Sequence, residues 1–354
     1  MKLLENILRW TNLLLILVTL LAYVAPWINP AKAWHFTFLG LAYPFLLFGN
    51  IFFIIFWGLR RDRYTLYSIG CILAGLGYFG SFFSVNLSGG GQKSDSEITV
   101  LTYNIASLGG YAWSNPDKKN ELKEQFVAFS NSIKMPDVLC IQEGKGEKLV
   151  ALIRQTFNYE HYFQSKNTII FSRFPIQKKD AIDFGNTGNS CIWADLKTPK
   201  GTVRVYNVHL QSNKLGQTAD KIATKGKIND KETWSDIGFV MRRYKNAVAI
   251  RASQAQLVAK HMAKSPNATI LCGDLNDPPV SYVYKLLSKN MQDSFCEKGF
   301  GFGSTFAGNL PFLRIDYVLP NGHFKVTGHK VLRSKLSDHY PVQVSLRKIA
   351  KATS

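Results

Sequence analysis

The chain has 354 residues, 46% of them hydrophobic and only 19% charged, with 43 Lys and Arg against 24 Asp and Glu for a formal net charge of +19. That apolar content excludes a disordered chain, and the length allows about two structural units. A mean hydropathy of −0.05 resembles that of a soluble protein, yet it averages two ends of opposite character.

The apolar residues crowd into the first quarter. Residues 7–28 carry Arg9 alone, whereas 36–59 and 64–87 carry no charge. Each run reaches the roughly 20 residues that a helix needs to cross about 30 Å of hydrocarbon. A buried helix of a soluble core rarely stays uncharged on every face for so long. Three transmembrane helices are expected, at 7–28, 36–59 and 64–87, making residues 1–87 a membrane anchor. Trp10, Trp27, Trp34 and Trp57 fall near run ends, where amphipathic rings prefer the interface. Lys2 and Arg9 sit at the start of the first run, and Arg60, Arg61 and Arg63 separate the second from the third. Only Lys32 separates the first two. The positive-inside rule then places the N-terminus and the Arg60 loop in the cytoplasm and everything after residue 87 outside, as on the periplasmic face of a bacterial inner membrane.

Residues 88–96 are polar and Gly-rich, as in a short flexible linker. A domain over 97–348 and a tail at 349–354 follow. Six of the cations and two of the acids precede residue 88, so the remainder carries about +15 by itself. Such a charge favours polyanions: nucleic acid, anionic lipid or phosphorylated small molecules. The five cysteines show no Cys-x-x-Cys spacing, and mostly free, buried thiols are expected.

Beyond residue 97, β-rich runs alternate with helical ones. Strands are predicted at 98–103, 137–141, 168–171, 191–196, 202–210, 269–272, 314–319, 323–332 and 342–346. Helices are predicted at 117–133, 146–156 and 245–264, with a short one after Pro279. This order predicts an α/β layered domain rather than a bundle or an all-β sandwich.

Polar residues recur where these runs stop: Asn104, Glu143, His209, Asp274 with Asn276, Asp316, and Asp338 with His339. One acidic residue after a strand is usually a turn former or a helix cap, and one histidine is often a satisfied core residue. A whole set at separate strand ends instead suggests convergence at one sheet edge. It offers carboxylates and amides for a hard cation, with two histidines.

The ordered motifs Tyr-Asn, Gln-Glu, Asn-Val-His-Leu, Gly-Asp-Leu-Asn, Ile-Asp-Tyr-Val and Ser-Asp-His-Tyr-Pro-Val resemble those of the endonuclease/exonuclease/phosphatase superfamily. The likeness spans roughly 97–346 and leaves the apolar runs outside it. It implies a four-layered α-β-β-α sandwich that hydrolyses phosphoesters with Mg²⁺, or Mn²⁺, by attack of water. It further implies Glu143 as principal metal ligand with Asn104 and Asp338, and Asp274 orienting or deprotonating the water. Asn276 would hold a non-bridging oxygen, and His339 would contact the phosphoryl group with Asp316 behind it. His209 would stabilise the transition state or protonate the leaving oxygen. In the deoxyribonuclease branch a second carboxylate backs the histidine that matches His209, and the sequence offers no obvious counterpart.

Residues 211–251 form an unusually long connection rich in cations, among them Lys214, Lys221, Lys225, Lys227, Arg242, Arg243 and Arg251, with Trp234, Phe239 and Tyr244 interleaved. Arg242 and Arg243 are candidate substrate-binding residues on a lip that follows phosphates and stacks on bases; a solvated loop is the bland alternative. Three functions compete: a membrane-tethered nuclease, a lipid or inositol-phosphate phosphoesterase of sphingomyelinase type, and an inactive membrane-held binding module. Retention of every motif residue favours the enzymes, and the basic domain favours the nuclease.

Overall fold

A computed structural model of the chain describes residues 2–86, 97–106, 116–213, 231–308, 311–334 and 336–349. The expected linker at 88–96, residues 350–354 of the tail, and Lys214, Lys221, Lys225 and Lys227 lie outside the described residues. The chain forms two compact units. One comprises Met1–Phe79, Gln211–Gln256 and Asn276–Leu286, and the other Gly80–Leu210, Leu257–Leu275 and Leu287–Ser354.

The first unit begins with helices α1 (Lys2–Val24), α2 (Pro30–Ala33) and α3 (Phe36–Leu59), then α4 (Tyr64–Ala74) and α5 (Leu76–Phe82). By length and composition, two helices suffice to cross a membrane, one at Lys2–Trp27 and the other at Phe36–Leu59. The expected third span, 64–87, is not a single helix. α4 and α5 meet with a 72° bend, and the chain then continues as strand β1 (Phe83–Val85). The cause lies at Gly75, where a Cβ would sit 2.0 Å from Cζ of Tyr23. Tyr23 fills that space, donating its hydroxyl to Cys71 O (3.1 Å) and stacking on Tyr78 (5.3 Å). A side chain wedged in beside a glycine is a sufficient cause of a kink.

Polar side chains on these helices answer one another. Asn12 donates to Ser68 Oγ (2.8 Å), Asn50 to Thr19 Oγ1 (2.9 Å), and Arg9 to Glu5 and Asp62 (2.7 and 2.9 Å). Helix α8 (Lys231–Met262) begins well before the 245–264 helix expected from the sequence, so much of the supposed loop is helical. Its Tyr244 stacks on Phe38 (4.3 Å). Arg251, expected on the lip, is instead fully buried, bonded to Asp277 (2.6 Å), Gln211 O (2.8 Å) and Asn213. Gly40 approaches Val280 so closely that a Cβ would lie 1.9 Å from its carbonyl oxygen.

The second unit holds two large sheets. Strands β2 (Glu97–Asn104), β3 (Val138–Gln142), β4 (His161–Ser165), β5 (Thr168–Ser172), β12 (Phe324–Val331) and β13 (Val342–Lys348) form one, in the order β12-β13-β2-β3-β5-β4. The other runs β11-β9-β8-β7-β6, using β6 (Ile176–Ile182), β7 (Ser190–Thr198), β8 (Gly201–His209), β9 (Ala268–Asp274) and β11 (Asp316–Pro320). Val100, Val138, Cys140 and Ile170 of the first meet Ile192, Val205, Ile270 and Val318 of the second in one apolar core. The first sheet's outer face, with Leu101, Leu139 and Phe171, is covered by Phe126 of α6 (Pro116–Ser132) and by Ile153 and Phe157 of α7 (Glu147–Phe157). Central strands buried on both faces need near-continuous apolar runs, which β2 and β3 have. On the far face, Tyr206 meets His261 at the end of α8 (2.9 Å). The expected four-layered α-β-β-α sandwich is thus present.

A buried polar bridge links the two sheets. Gln142 Nε2 donates to Asn207 Oδ1 (2.7 Å) and Thr102 Oγ1 (3.0 Å), while Asn207 Nδ2 donates to the carbonyls of Ile141 and Ile169 (both 2.8 Å). Neither amide is exposed. Asn207→Ala is expected to cost about 2–4 kcal/mol, because it strips partners from groups that water cannot reach. Thermal denaturation checks this, and an unchanged Tm would refute it.

Candidate active site

The polar strand ends gather at one edge of both sheets. Parallel registers set Asn104 beside Gln142 and His209 beside Asp274, and antiparallel β11 sets Asp316 opposite Asp274. Gly273 permits this, since a Cβ there would lie 2.0 Å from Val208 O and its φ is +130°. Glu143 itself adopts a left-handed conformation, with φ of +55°. Such backbone strain in a non-glycine residue concentrates at functional sites.

Asp274, 1% exposed, sits at the centre. Its Oδ2 accepts from Asn104 Nδ2 (3.0 Å) and lies 3.9 Å from Nε2 of both His209 and His339. The other nitrogen of His339, Nδ1, is 2.9 Å from Asp316 Oδ2. Glu143 Oε1 is 3.5 Å from His209 Nε2 and 3.4 Å from Asn104 Nδ2. The structure therefore brings together Asn104, Glu143, His209, Asp274, Asp316 and His339. Asp338 is exposed, its carboxylate accepting from Ser337 (3.3 Å). Asn276, Arg242 and Arg243 belong to the other unit. Asn276 has φ of +53°, and both arginines are exposed on α8.

Several supporting residues carry no sequence signal. Asn167, in the tight turn before β5, fills the place behind His209, with Nδ2 3.0 Å from Nδ1 of the ring and Oδ1 accepting from Ser190 (3.0 Å). Thr305 Oγ1 accepts from both the Ile315 and Asp316 amides (3.0 and 3.1 Å), fixing the start of β11. Phe306 sets its ring edge-on to His339 (5.3 Å). A lone Asn, Thr or Phe in a connection is too common to stand out.

Burial pushes the Asp274 carboxyl up from 3.8 to about 6; the charge of Asp316 adds to this, and both histidines oppose it. For His339, burial opposes protonation, but Asp316 and Asp274 outweigh it and carry the ring from 6.5 to about 10. Asp274, Asp316 and His339 offer ligand atoms within 4.8 Å of one another, and Asp316 Oδ1 is buried without a hydrogen-bond partner among the described residues. Glu143 adds a third, half-buried carboxylate. These three carboxylates give an excess of negative charge that suits a hard divalent cation. Asn104 turns its N–H groups to Glu143 and Asp274 while its oxygen accepts from Ala106 (3.0 Å), so it also braces the carboxylates.

A sequence profile of the endonuclease/exonuclease/phosphatase family matches residues 101–339, and one for a domain of unknown function, DUF8431, matches 5–82. The fold is similar to that of D. rerio TDP2 complexed with single strand DNA product (14% identity, TM-score 0.51, covering 71% of this chain and 99% of that one). It also resembles a family protein from Bacteroides thetaiotaomicron (17%, 0.50, 73% and 100%) and a functionally unknown conserved protein from Enterococcus faecalis V583 (16%, 0.50, 71% and 100%). No curated protein matches in sequence. The chain belongs to the endonuclease/exonuclease/phosphatase family. It is accordingly a metal-dependent hydrolase of phosphate esters.

Two substitutions probe this geometry. Gly273→Ala is expected to lower the Tm by several degrees and abolish turnover, because β8 and β9 must part to admit the methyl group; wild-type stability would refute the close approach. Asp274 binds its proton more tightly folded than unfolded, so its contribution to stability is present below 3.8 and lost as pH rises through about 6. Asp274→Asn should therefore raise the Tm of metal-free protein above pH 6 and leave it nearly unchanged at pH 4, while removing activity. Thermal scans at both pH values, with a lower Tm at pH 8 counting against the assignment, decide it.

Proposed function

We propose that this chain is a membrane-held, Mg²⁺-dependent phosphodiesterase acting on nucleic acid. The observation that carries the reading is Asp274 flanked by two imidazoles, one of them backed by Asp316. At neutral pH Asp274 is ionised while His339 keeps its proton, given their values of about 6 and about 10. Asp274 then accepts a proton from the attacking water, whose oxygen bonds to phosphorus as the ester P–O bond breaks; the leaving oxygen takes up a proton from solvent, and His339 donates a hydrogen bond from Nε2–H to a phosphoryl oxygen. Asp316 holds the His339 ring, His209 steadies charge from the opposite side, and Asn276 orients a non-bridging oxygen. Glu143, with Asn104 and Asp338, would hold the Mg²⁺, which when bound neutralises charge developing on the phosphoryl group. Arg242 and Arg243 contribute phosphate contacts, consistent with a domain of about +15. The two long apolar helices anchor the chain, and the cation asymmetry around them favours a catalytic unit outside the cytoplasm.

A lipid or inositol-phosphate substrate is the second reading, favoured by a cleft of about 530 Å³ lined by Phe302, Phe306, Phe312, Arg333 and Tyr340. The full-length protein should be assayed with Mg²⁺ on plasmid DNA, RNA, sphingomyelin vesicles and phosphoinositide vesicles. Nucleic-acid cleavage that falls steeply with salt is expected, and turnover of vesicles alone would select the second reading. Glu143→Ala and His339→Ala should each lose at least about 100-fold in kcat; wild-type turnover in either would overturn the site.

A further inference from the structure

The chain leaving the last apolar helix is stitched into the loop that carries the site's supports. Strand β1 pairs antiparallel with β10 (Phe300–Phe302), setting Phe83 opposite Phe302 and Val85 opposite Phe300. Asn86 adds two bonds, from its amide N–H to Gly299 O (3.3 Å) and from Nδ2 to Cys296 O (3.2 Å). Just before the strand, Ser81 O accepts from Nη2 of Arg314 (2.8 Å).

Arg314 is 2% exposed, a position where a cation needs partners. Its Nη1 meets Asp293 (2.8 Å), and its guanidinium lies 4.7 Å from the rings of both Phe295 and Tyr317. It stands two residues before Asp316. β10, for its part, runs directly into Ser304, Thr305 and Phe306. Thr305 holds the Asp316 amide, and Phe306 lies against His339. Both routes from the end of the apolar run therefore reach the same Asp316–His339 pair, one through residues 314–316 and the other along the 303–306 connection.

We propose that residues 81–86 form a strut for the active site and that Arg314 is a positioning residue that locks the strut to the Asp316–His339 pair. The apolar run then does more than hold the protein in place: its exit sets the orientation of the working imidazole. Arg314 is suited to this because its planar fork satisfies a carbonyl and a carboxylate at once, which a lysine ammonium cannot do with the same directionality. The proposal rests on His339 being the working imidazole of the proposed function, and its test carries a readout that needs no turnover.

Full-length Arg314→Lys and Ser84→Pro would be compared with wild type well below their Tm. The first keeps the charge and loses the fork; the second removes a β1–β10 rung without touching the site. Both are expected to lower kcat about tenfold or more with KM within about twofold, as misplacement of a catalytic group does. Both should also shift the downfield proton resonance of the His339 Nδ1–Asp316 hydrogen bond, read without substrate. If Arg314→Lys fails to fold, Ser84→Pro carries the test. A lowered Tm with unchanged kcat and an unchanged resonance overturns the proposal. A shifted resonance in a protein whose wild type cleaves no phosphodiester upholds the strut and sinks the proposed function instead.

Discussion

The amide bridge between Gln142 and Asn207 is the contact on which the arrangement of the site depends. Each residue belongs to a different sheet, and each stands at the root of a candidate site side chain: Gln142 immediately before Glu143, Asn207 two positions before His209. Apolar packing between sheets is non-directional and tolerates sliding, whereas buried amide hydrogen bonds are directional and are lost when one sheet shifts against the other. With Asn207 also bonded to the carbonyls of Ile141 and Ile169, the sheets cannot shift along their strands without orphaning several groups at once. The 3.5 Å separation of Glu143 and His209 across the two sheets follows from that constraint.

Above this bridge the protein accepts unfavourable local features. A buried carboxylate, Asp274, lies near a second one, Asp316, and a left-handed Glu143 ends β3. None of these helps the metal-free fold. Together they hold charge and backbone poised for an ion and a phosphoryl group, and the supporting contacts from Thr305, Asn167 and Phe306 keep the arrangement from relaxing. Departures from local preference are expected where function is located.

Much of the sandwich was legible because its central strands are continuous apolar runs closed by a polar residue: β3, β8 and β9 fall within a residue or two of the sequence-predicted bounds. The edge strands β4 and β6 are not legible in the sequence, because exposed stretches such as Gln177 to Asp180 carry no apolar pattern. The charges on the first half of α8 mask its helical period in the sequence. The third apolar run reads as one straight helix and is instead a bent pair, long and apolar enough to span only when taken together. Gly75 looks like any glycine of a membrane helix, and the break depends on Tyr23, far away in sequence. In the site, the motif residues were readable individually, but their mutual distances and their partners Asn167 and Thr305 arise only from tertiary packing. Arg251 shows the converse, a cation in a basic stretch that turned out to be a buried structural residue.

The ladder between β1 and β10 also alters what the peptide bonds between residues 86 and 97 contribute. With β1 paired to β10, Arg314 bonded to Ser81, and Phe38 and Gly40 packed against Tyr244 and Val280, the N-terminal helices are held to later parts of the chain by contacts that bypass that stretch. A proteolytic nick there would leave two fragments that stay associated. The same two pieces, made as separate polypeptides, have the interfaces needed to reassemble.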